Sequence, residues 1–197
     1  MDTLKSLPKI PRQARSKERQ STILKASEEI IKELGPAHLT LKKIAERTNL
    51  KRASLYKLFP SVESIIYSLG ENHIKKLLSL IEDNCKQIKY QNMDYYLKIF
   101  IDISAIYLNQ QSYLAFLLIN LHMNFYSLEQ TIKNQEYLAI SFFLLIKEQG
   151  IKVDKEKIAL SVQIIFAVLG HGLRSKGTID SKTLNDAKKS ALAFILI

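Results

Sequence analysis

Lysine, arginine and hydroxyl side chains are concentrated in residues 40–61, a combination suited to binding a polyanion. Within residues 51–58, Leu55 and Leu58 fall at helical spacing and are expected to point inward. The outer face of such a helix would carry hydrogen-bonding groups: Lys51, Arg52, Ser54, Tyr56 and Lys57. Side chains of these types donate to phosphates and to base edges, so this face suits a DNA major groove.

Other kinds of chemistry find little support in the residue pattern. No glycine-rich phosphate loop occurs, and the four histidines lack the spacing of metal ligands: His38, His73, His122 and His171. Gly170 and Gly172 favour close helix approach over cofactor binding. An enzyme would need a catalytic pair that the sequence does not offer, so we expect no catalysis, no metal and no cofactor.

The elements that would position the basic face form a helix-turn-helix. Leu41, Ile44 and Ala45 recur at helical spacing, and Thr40 stands where a hydroxyl can cap the helix start. Asn49 can adopt the left-handed conformation that a tight turn needs. Residues 40–63 therefore predict two short helices around a turn.

At these residues the chain resembles the TetR family of bacterial transcriptional repressors. The shared motif residues are Leu39-Thr40, Ile44-Ala45, Leu55-Tyr56, Phe59 and Glu63, and the resemblance covers about residues 16–70. Three positions differ from the family pattern: Asn49 replaces the turn glycine, Leu58 a histidine and Val62 a lysine. The last difference removes one phosphate contact that the family pattern would supply.

The resemblance implies a role for each matching residue. Base edges would be met by Lys42, Arg52, Ala53 and Ser54. Phosphates would be met by Thr40, Tyr56 and Lys57, together with the helix start at Ser61.

The charge distribution marks the same end of the chain. The 197 residues carry a net charge of +10, and residues 1–60 hold 14 of the 29 basic and 6 of the 19 acidic side chains. Most of the excess, +8, therefore lies in the first third, as expected for a polyanion-binding end. Cys85 is the single cysteine, which excludes an intrachain disulfide, and no signal peptide or membrane span is recognised, so we expect a cytoplasmic protein.

The chain is expected to be all-α, with about nine helices and three segments. Residues 1–15 read as a disordered basic arm, residues 16–60 as the DNA-binding domain, and residues 61–197 as a helical regulatory and dimerisation domain. Helices are predicted near 16–34, 61–89, 94–109, 112–124, 127–149, 154–173 and 181–196, besides the two of the motif.

Aromatic residues in the central helices could line a pocket for a small, largely apolar ligand, although a plain core is the alternative. The candidate lining residues are Tyr96, Phe100, Tyr107, Tyr113, Phe116, His122, Phe142 and Phe166.

The last two helices are candidates for a dimer interface, because residues 158–173 are apolar around nearly the whole circumference and must be covered on both sides. The predicted contacts are Ile158, Val162, Ile165, Leu169, Leu173, Leu184, Ala187, Ala191 and Phe194. Members of the family that look like this pair these helices into a four-helix bundle.

Together these features predict a dimeric, ligand-responsive repressor that binds a palindromic operator. The alternative is a basic, all-helical interaction protein that binds nucleic acid non-specifically. Preference for an operator over random DNA distinguishes the two.

Overall fold

The computed structural model describes residues 14–87, 91–119 and 128–196. In these ranges the regular structure comprises eight α-helices and two short 3-10 segments, with no strand. The α-helices are α1 (Ala14–Leu34), α2 (Leu41–Thr48), α3 (Arg52–Leu58), α4 (Val62–Lys86), α5 (Met93–Gln110), α6 (Leu128–Glu148), α7 (Lys155–Lys176) and α8 (Ser181–Leu196). The all-α class is confirmed.

One predicted helix has a different form. In place of an α-helix over residues 112–124, a 3-10 helix spans Ser112–Leu117, where Leu114 N–H donates to the Gln111 carbonyl at 2.8 Å. Residues 120–127 lie outside the described part of the chain, as do residues 1–13 of the predicted basic arm; its last two residues, Ala14 and Arg15, belong to α1.

The described residues divide into two compact units, the first ending at Asn72 and the second beginning at His73. In the first unit α1 packs against α2 and α3. Its core consists of fully or almost fully buried side chains from α1, α2 and α3, from the residue that follows α3 and from the start of α4: Ile23, Ile30, Ile44, Leu55, Phe59 and Ile65. The spacing of Ile23 and Ile30, two helical turns apart, places them on one face of α1.

In the second unit α7 packs against both α6 and α8, and α5 packs against α8. Gly172 lies where α7 meets α8, and a Cβ atom there would stand 2.7 Å from Thr183 Cγ2. The glycine therefore permits close helix approach, as the sequence predicted. Asn109, at the end of α5, accepts from Ile179 N–H at 2.8 Å and so holds the α7–α8 connection.

Candidate nucleic-acid interface

The turn between α2 and α3 is set by Thr40 and Asn49. Thr40 Oγ1 accepts a hydrogen bond from Lys43 N–H at 3.2 Å, which satisfies one of the amides left free at the start of α2. Asn49 ends α2 in the left-handed conformation, with φ 52° and ψ 29°. Both roles were predicted from the sequence, and the structure confirms them.

Helix α3 has one apolar and one polar face. Leu55 and Phe59, which follows the helix directly, are completely buried and anchor it to the first unit. Leu58, also expected to point inward, is only partly buried at the last position of the helix. The opposite face exposes Lys51, Arg52, Ala53, Tyr56 and Lys57, with Ser54 partly covered.

Arg47 braces α2 against α1. Its guanidinium donates to both carboxylate oxygens of Glu33, at 2.9 and 2.6 Å, and this hydrogen bonding holds the pKa of Glu33 below its usual value. The pair was not predicted, because nothing in the local pattern connects two residues on different helices. Arg47 is thus occupied within the protein.

The cations of α3 are free of such partners. Lys51, Arg52 and Lys57 make no ion pair with any carboxylate that the structure describes. Lys42, on α2, lies 4.0 Å from Glu46, but both side chains are more than 60% exposed. An ion pair of this kind contributes little, so all four cations are available to a polyanion.

The start of α4 is capped by two serines. Ser64 N–H donates to Ser61 Oγ, and Ser61 N–H donates to Ser64 Oγ, each at 3.3 Å. The Ser61 hydroxyl accepts within this cap and keeps its own O–H for a second acceptor such as a phosphate oxygen. Val62 follows without a charge.

Three aromatic residues predicted to line a pocket pack on one another in the second unit. The Phe100 ring centroid lies 4.6 Å from that of Phe142 and 6.4 Å from that of Phe166. All three side chains are at most 1% exposed. They form an aromatic core at the centre of this unit.

A polar group lies in the same apolar interior. Tyr107 hydroxyl and His73 Nδ1 are joined by a hydrogen bond between α5 and α4, and both residues are buried. Ser104, one turn before Tyr107, is completely buried, and its hydroxyl has no hydrogen-bond partner among the described residues. His73 was expected to be a surface or satisfied core histidine; its spacing from Leu69 and Leu77 is the sequence signal that it belongs to the buried face.

The other predicted pocket residues are spread more widely. Tyr96 is buried, with its hydroxyl 3.4 Å from an amide oxygen of Gln149, whereas Tyr113 is partly exposed. The side chain of Phe116 and the whole of His122 lie outside the described part of the structure.

Six of the nine residues predicted for the dimer interface lie inside the core of one chain. Each is 0% exposed: Ile158, Val162, Ile165, Leu169, Ala187 and Ala191. The chain's own helices cover these six side chains completely, and the dimer contact predicted for the last two helices stays a prediction. Leu173, Leu184 and Phe194 remain partly exposed.

The described residues contain no group of three or more His, Cys, Asp or Glu side chains arranged to hold a metal ion. Cys85 is fully buried, and burial, with a smaller effect of the Glu82 charge, raises the pKa of its thiol to about 11. Helix α7 is the one described helix long and apolar enough to span a membrane, and it packs between α6 and α8 as a core helix does.

Comparison with known proteins bears on this arrangement. Residues 23–67 match the family model of the bacterial regulatory proteins of the tetR family. No curated protein sequence matches the chain.

Solved structures are similar over most of the chain. A TetR-family transcriptional regulator from Streptomyces coelicolor has a TM-score of 0.71 at 14% identity, covering 89% of this chain and 96% of that one. The fatty acid degradation regulator FadR from Bacillus halodurans has a TM-score of 0.63 at 17% identity, with 90% and 94% covered. SmeT, the repressor of the Stenotrophomonas maltophilia multidrug efflux pump SmeDEF, has 0.63 at 17% identity, with 88% of each chain covered. At these identities the likeness concerns the fold.

Proposed function

We propose that this chain is a TetR-family transcriptional regulator, and that it is a cytoplasmic, ligand-responsive repressor that binds a palindromic operator as a homodimer. The observation that carries the proposal is the face of α3. Three cations there have no described acidic partner, while Leu55 and Phe59 fix the helix from behind. We assign the protein no catalytic activity.

The proposed contacts fall into two classes. Lys42, Arg52, Ala53 and Ser54 would read base edges, and Thr40, Tyr56, Lys57 and Ser61 would hold phosphates, with Lys51 on the same face. Because the base-reading group includes a guanidinium able to form two hydrogen bonds with guanine, one class can supply specificity while the other supplies affinity. SmeT is named as a repressor, which favours repression over activation for this chain too.

Sequence-specific binding is tested by footprinting on the DNA that flanks the protein's own gene. A protected, two-fold symmetric segment, bound at least 1,000-fold more tightly than random DNA, is expected of a specific regulator. Equal affinity for the flanking and random DNA would instead support a basic protein that binds nucleic acid non-specifically.

A ligand site is proposed in the second unit, beside the polar group of Ser104, Tyr107 and His73. The surrounding interior is apolar, so a ligand that fits would be largely apolar with one hydrogen-bonding group for the Ser104 or Tyr107 hydroxyl. By occupying that site, the ligand would favour a conformation with lower operator affinity. The shift cannot exceed the difference in its affinity for the two conformations.

A compound library screened by thermal shift, followed by operator titration, tests this site. We expect hits that raise the melting temperature and weaken operator binding, and that lose affinity on Tyr107→Phe but not on Tyr95→Phe. Hits that stabilise the protein and leave operator affinity unchanged would indicate a plain core.

A further inference from the structure

Two serine hydroxyls are buried in the second unit without a hydrogen-bond partner among the described residues. Ser104, on α5, and Ser161, on α7, are both 0% exposed. The other buried Ser, Thr, Asn and His side chains described in this unit have partners: His73, Thr131, Asn134 and Thr183. A buried hydroxyl without a partner lowers stability, and alanine at the same position would remove that penalty. Serine at two such positions indicates groups that another molecule satisfies.

Both hydroxyls belong to one contiguous apolar core. Ser104 lies one helical turn after Phe100, and Ser161 directly precedes Val162, and both of these apolar residues are part of the same buried cluster. Helices α5 and α7 meet in this cluster through the rings of Phe100 and Phe166, whose centroids are 6.4 Å apart. A ligand that enters this core can therefore meet one hydroxyl from each helix.

The same core offers no counter-ion to a charged ligand. The part of the chain that the structure describes buries no aspartate, glutamate, lysine or arginine side chain. Asp102 and Lys188, which connect α5 to α8, are partly exposed and pair with each other at 2.5 Å. His73 Nδ1 is engaged by the Tyr107 hydroxyl, and residues 120–130 contain neither lysine nor arginine. An ionised ligand group would lose its hydration here without gaining an opposite charge, which opposes binding strongly.

We propose that this core binds an uncharged ligand with two polar groups, one for Ser104 and one for Ser161, joined by an apolar body. A serine hydroxyl can donate to a carbonyl or accept from a hydroxyl or an amide, so neutral groups of these types satisfy both side chains. The inference rests on the ligand site of the proposed function. To that site it adds the charge class of the ligand and a second contact, on α7.

Isothermal titration calorimetry with three matched series of linear probes tests the charge class. The neutral probes are the linear diols from 1,6-hexanediol to 1,12-dodecanediol, and the charged probes are the dicarboxylates and diamines of the same chain lengths at neutral pH. We expect a diol to bind the full-length protein, and the dicarboxylate and diamine of the same length to bind at least about 100-fold more weakly. A dicarboxylate or diamine that binds as tightly as the diol would overturn the uncharged class.

The two serine contacts are tested by Ser104→Ala and Ser161→Ala. Each substitution should weaken binding of the tightest diol by about 2- to 10-fold. The free variants should melt no earlier than the wild type, because neither hydroxyl has a described partner to lose. The matched control is Ser190→Ala, which alters an exposed serine on α8 and should leave diol affinity unchanged. If fewer than both buried serines affect diol affinity, the contact at two points is wrong.

The outcomes separate this inference from the proposed function. Tight binding of a charged probe that also weakens operator binding would overturn the uncharged class and leave the ligand-responsive repressor intact. Binding of no probe from any of the three series would overturn the ligand site together with this inference, whereas preference for an operator over random DNA would still support a specific regulator.

Discussion

Replacing Arg52 and Lys57 by alanine, one at a time, should separate recognition of bases from attraction to phosphates. Both side chains lie on the exposed face of α3, and neither pairs with a carboxylate that the structure describes. Their removal therefore breaks no described ion pair in the free protein. A change in DNA affinity can be read as a lost contact with DNA, provided that the melting temperature is unchanged.

Arg52→Ala and Lys57→Ala should lower DNA affinity by different amounts and with a different dependence on DNA sequence and salt. An arginine paired with guanine contributes about 1 to 3 kcal/mol of discrimination, so a dimer with two such contacts loses about 2 to 6 kcal/mol on its operator. Since about 1.4 kcal/mol corresponds to a tenfold change in affinity, operator affinity should fall by at least about 30-fold. Affinity for random DNA should fall far less. Each Lys57–phosphate contact adds about 0.9 to the slope of log K against log salt, so Lys57→Ala should flatten the slope by about 1.8 per dimer.

Fluorescence anisotropy titrations of operator and random duplexes, each at several salt concentrations, measure both quantities. The base-reading role of Arg52 is refuted if Arg52→Ala loses the same affinity on both duplexes. The phosphate role of Lys57 is refuted if its salt slope equals that of the wild type.

Three further substitutions test the fold that presents this surface. Gly172→Ala should lower the free energy of unfolding by about 1 to 3 kcal/mol in urea titrations, because the new methyl group meets Thr183; unchanged stability would show that α7 and α8 separate easily. Leu55→Ala should lower the free energy of unfolding by about 2 to 5 kcal/mol and abolish operator binding. Circular dichroism and operator affinity are measured together, and normal binding would show that α3 needs no buried anchor. Hydrogen bonds from Lys176 and Thr183 hold the pKa of Asp180 well below its usual range. The charged carboxylate therefore stabilises the folded protein at pH values above the pKa of Asp180 in the unfolded chain. This contribution is lost progressively as the pH falls below about 5. Asp180→Asn should keep the helix cap and show a shallower fall in melting temperature between about pH 5 and pH 2, whereas parallel curves would exclude this role.

The helix-turn-helix was predictable because its determinants are local. Thr40 caps a helix that begins at the next residue, and Asn49 turns the chain through its own backbone angles, so a window of ten residues contains the cause and the effect. The bracing of α2 by Arg47 was not predictable in the same way. Its partner, Glu33, is 14 residues away on another helix, and only the packing of α1 against α2 brings the two side chains together.

The buried polar group of the second unit could not be predicted from the sequence for the same reason. The spacing of Leu69, His73 and Leu77 indicates that His73 faces inward, but it does not indicate Tyr107 as its partner. That pairing depends on how α4 and α5 pack, which periodicity in either helix does not contain. The sequence therefore shows a candidate ligand site built from several helices only as a list of aromatic residues. It does not show which of these residues pack in the core and which lie beside the polar group.

The dimer surface shows why an apolar helix is hard to interpret from sequence alone. Periodicity records that a side chain is covered, but it does not record which molecule covers it. In α7 the regular stripe that includes Ile158 and Val162 is covered by the chain's own helices, and the residues left for a partner are those off the stripe, such as Leu160. The strongest apolar pattern thus marks the core of the subunit.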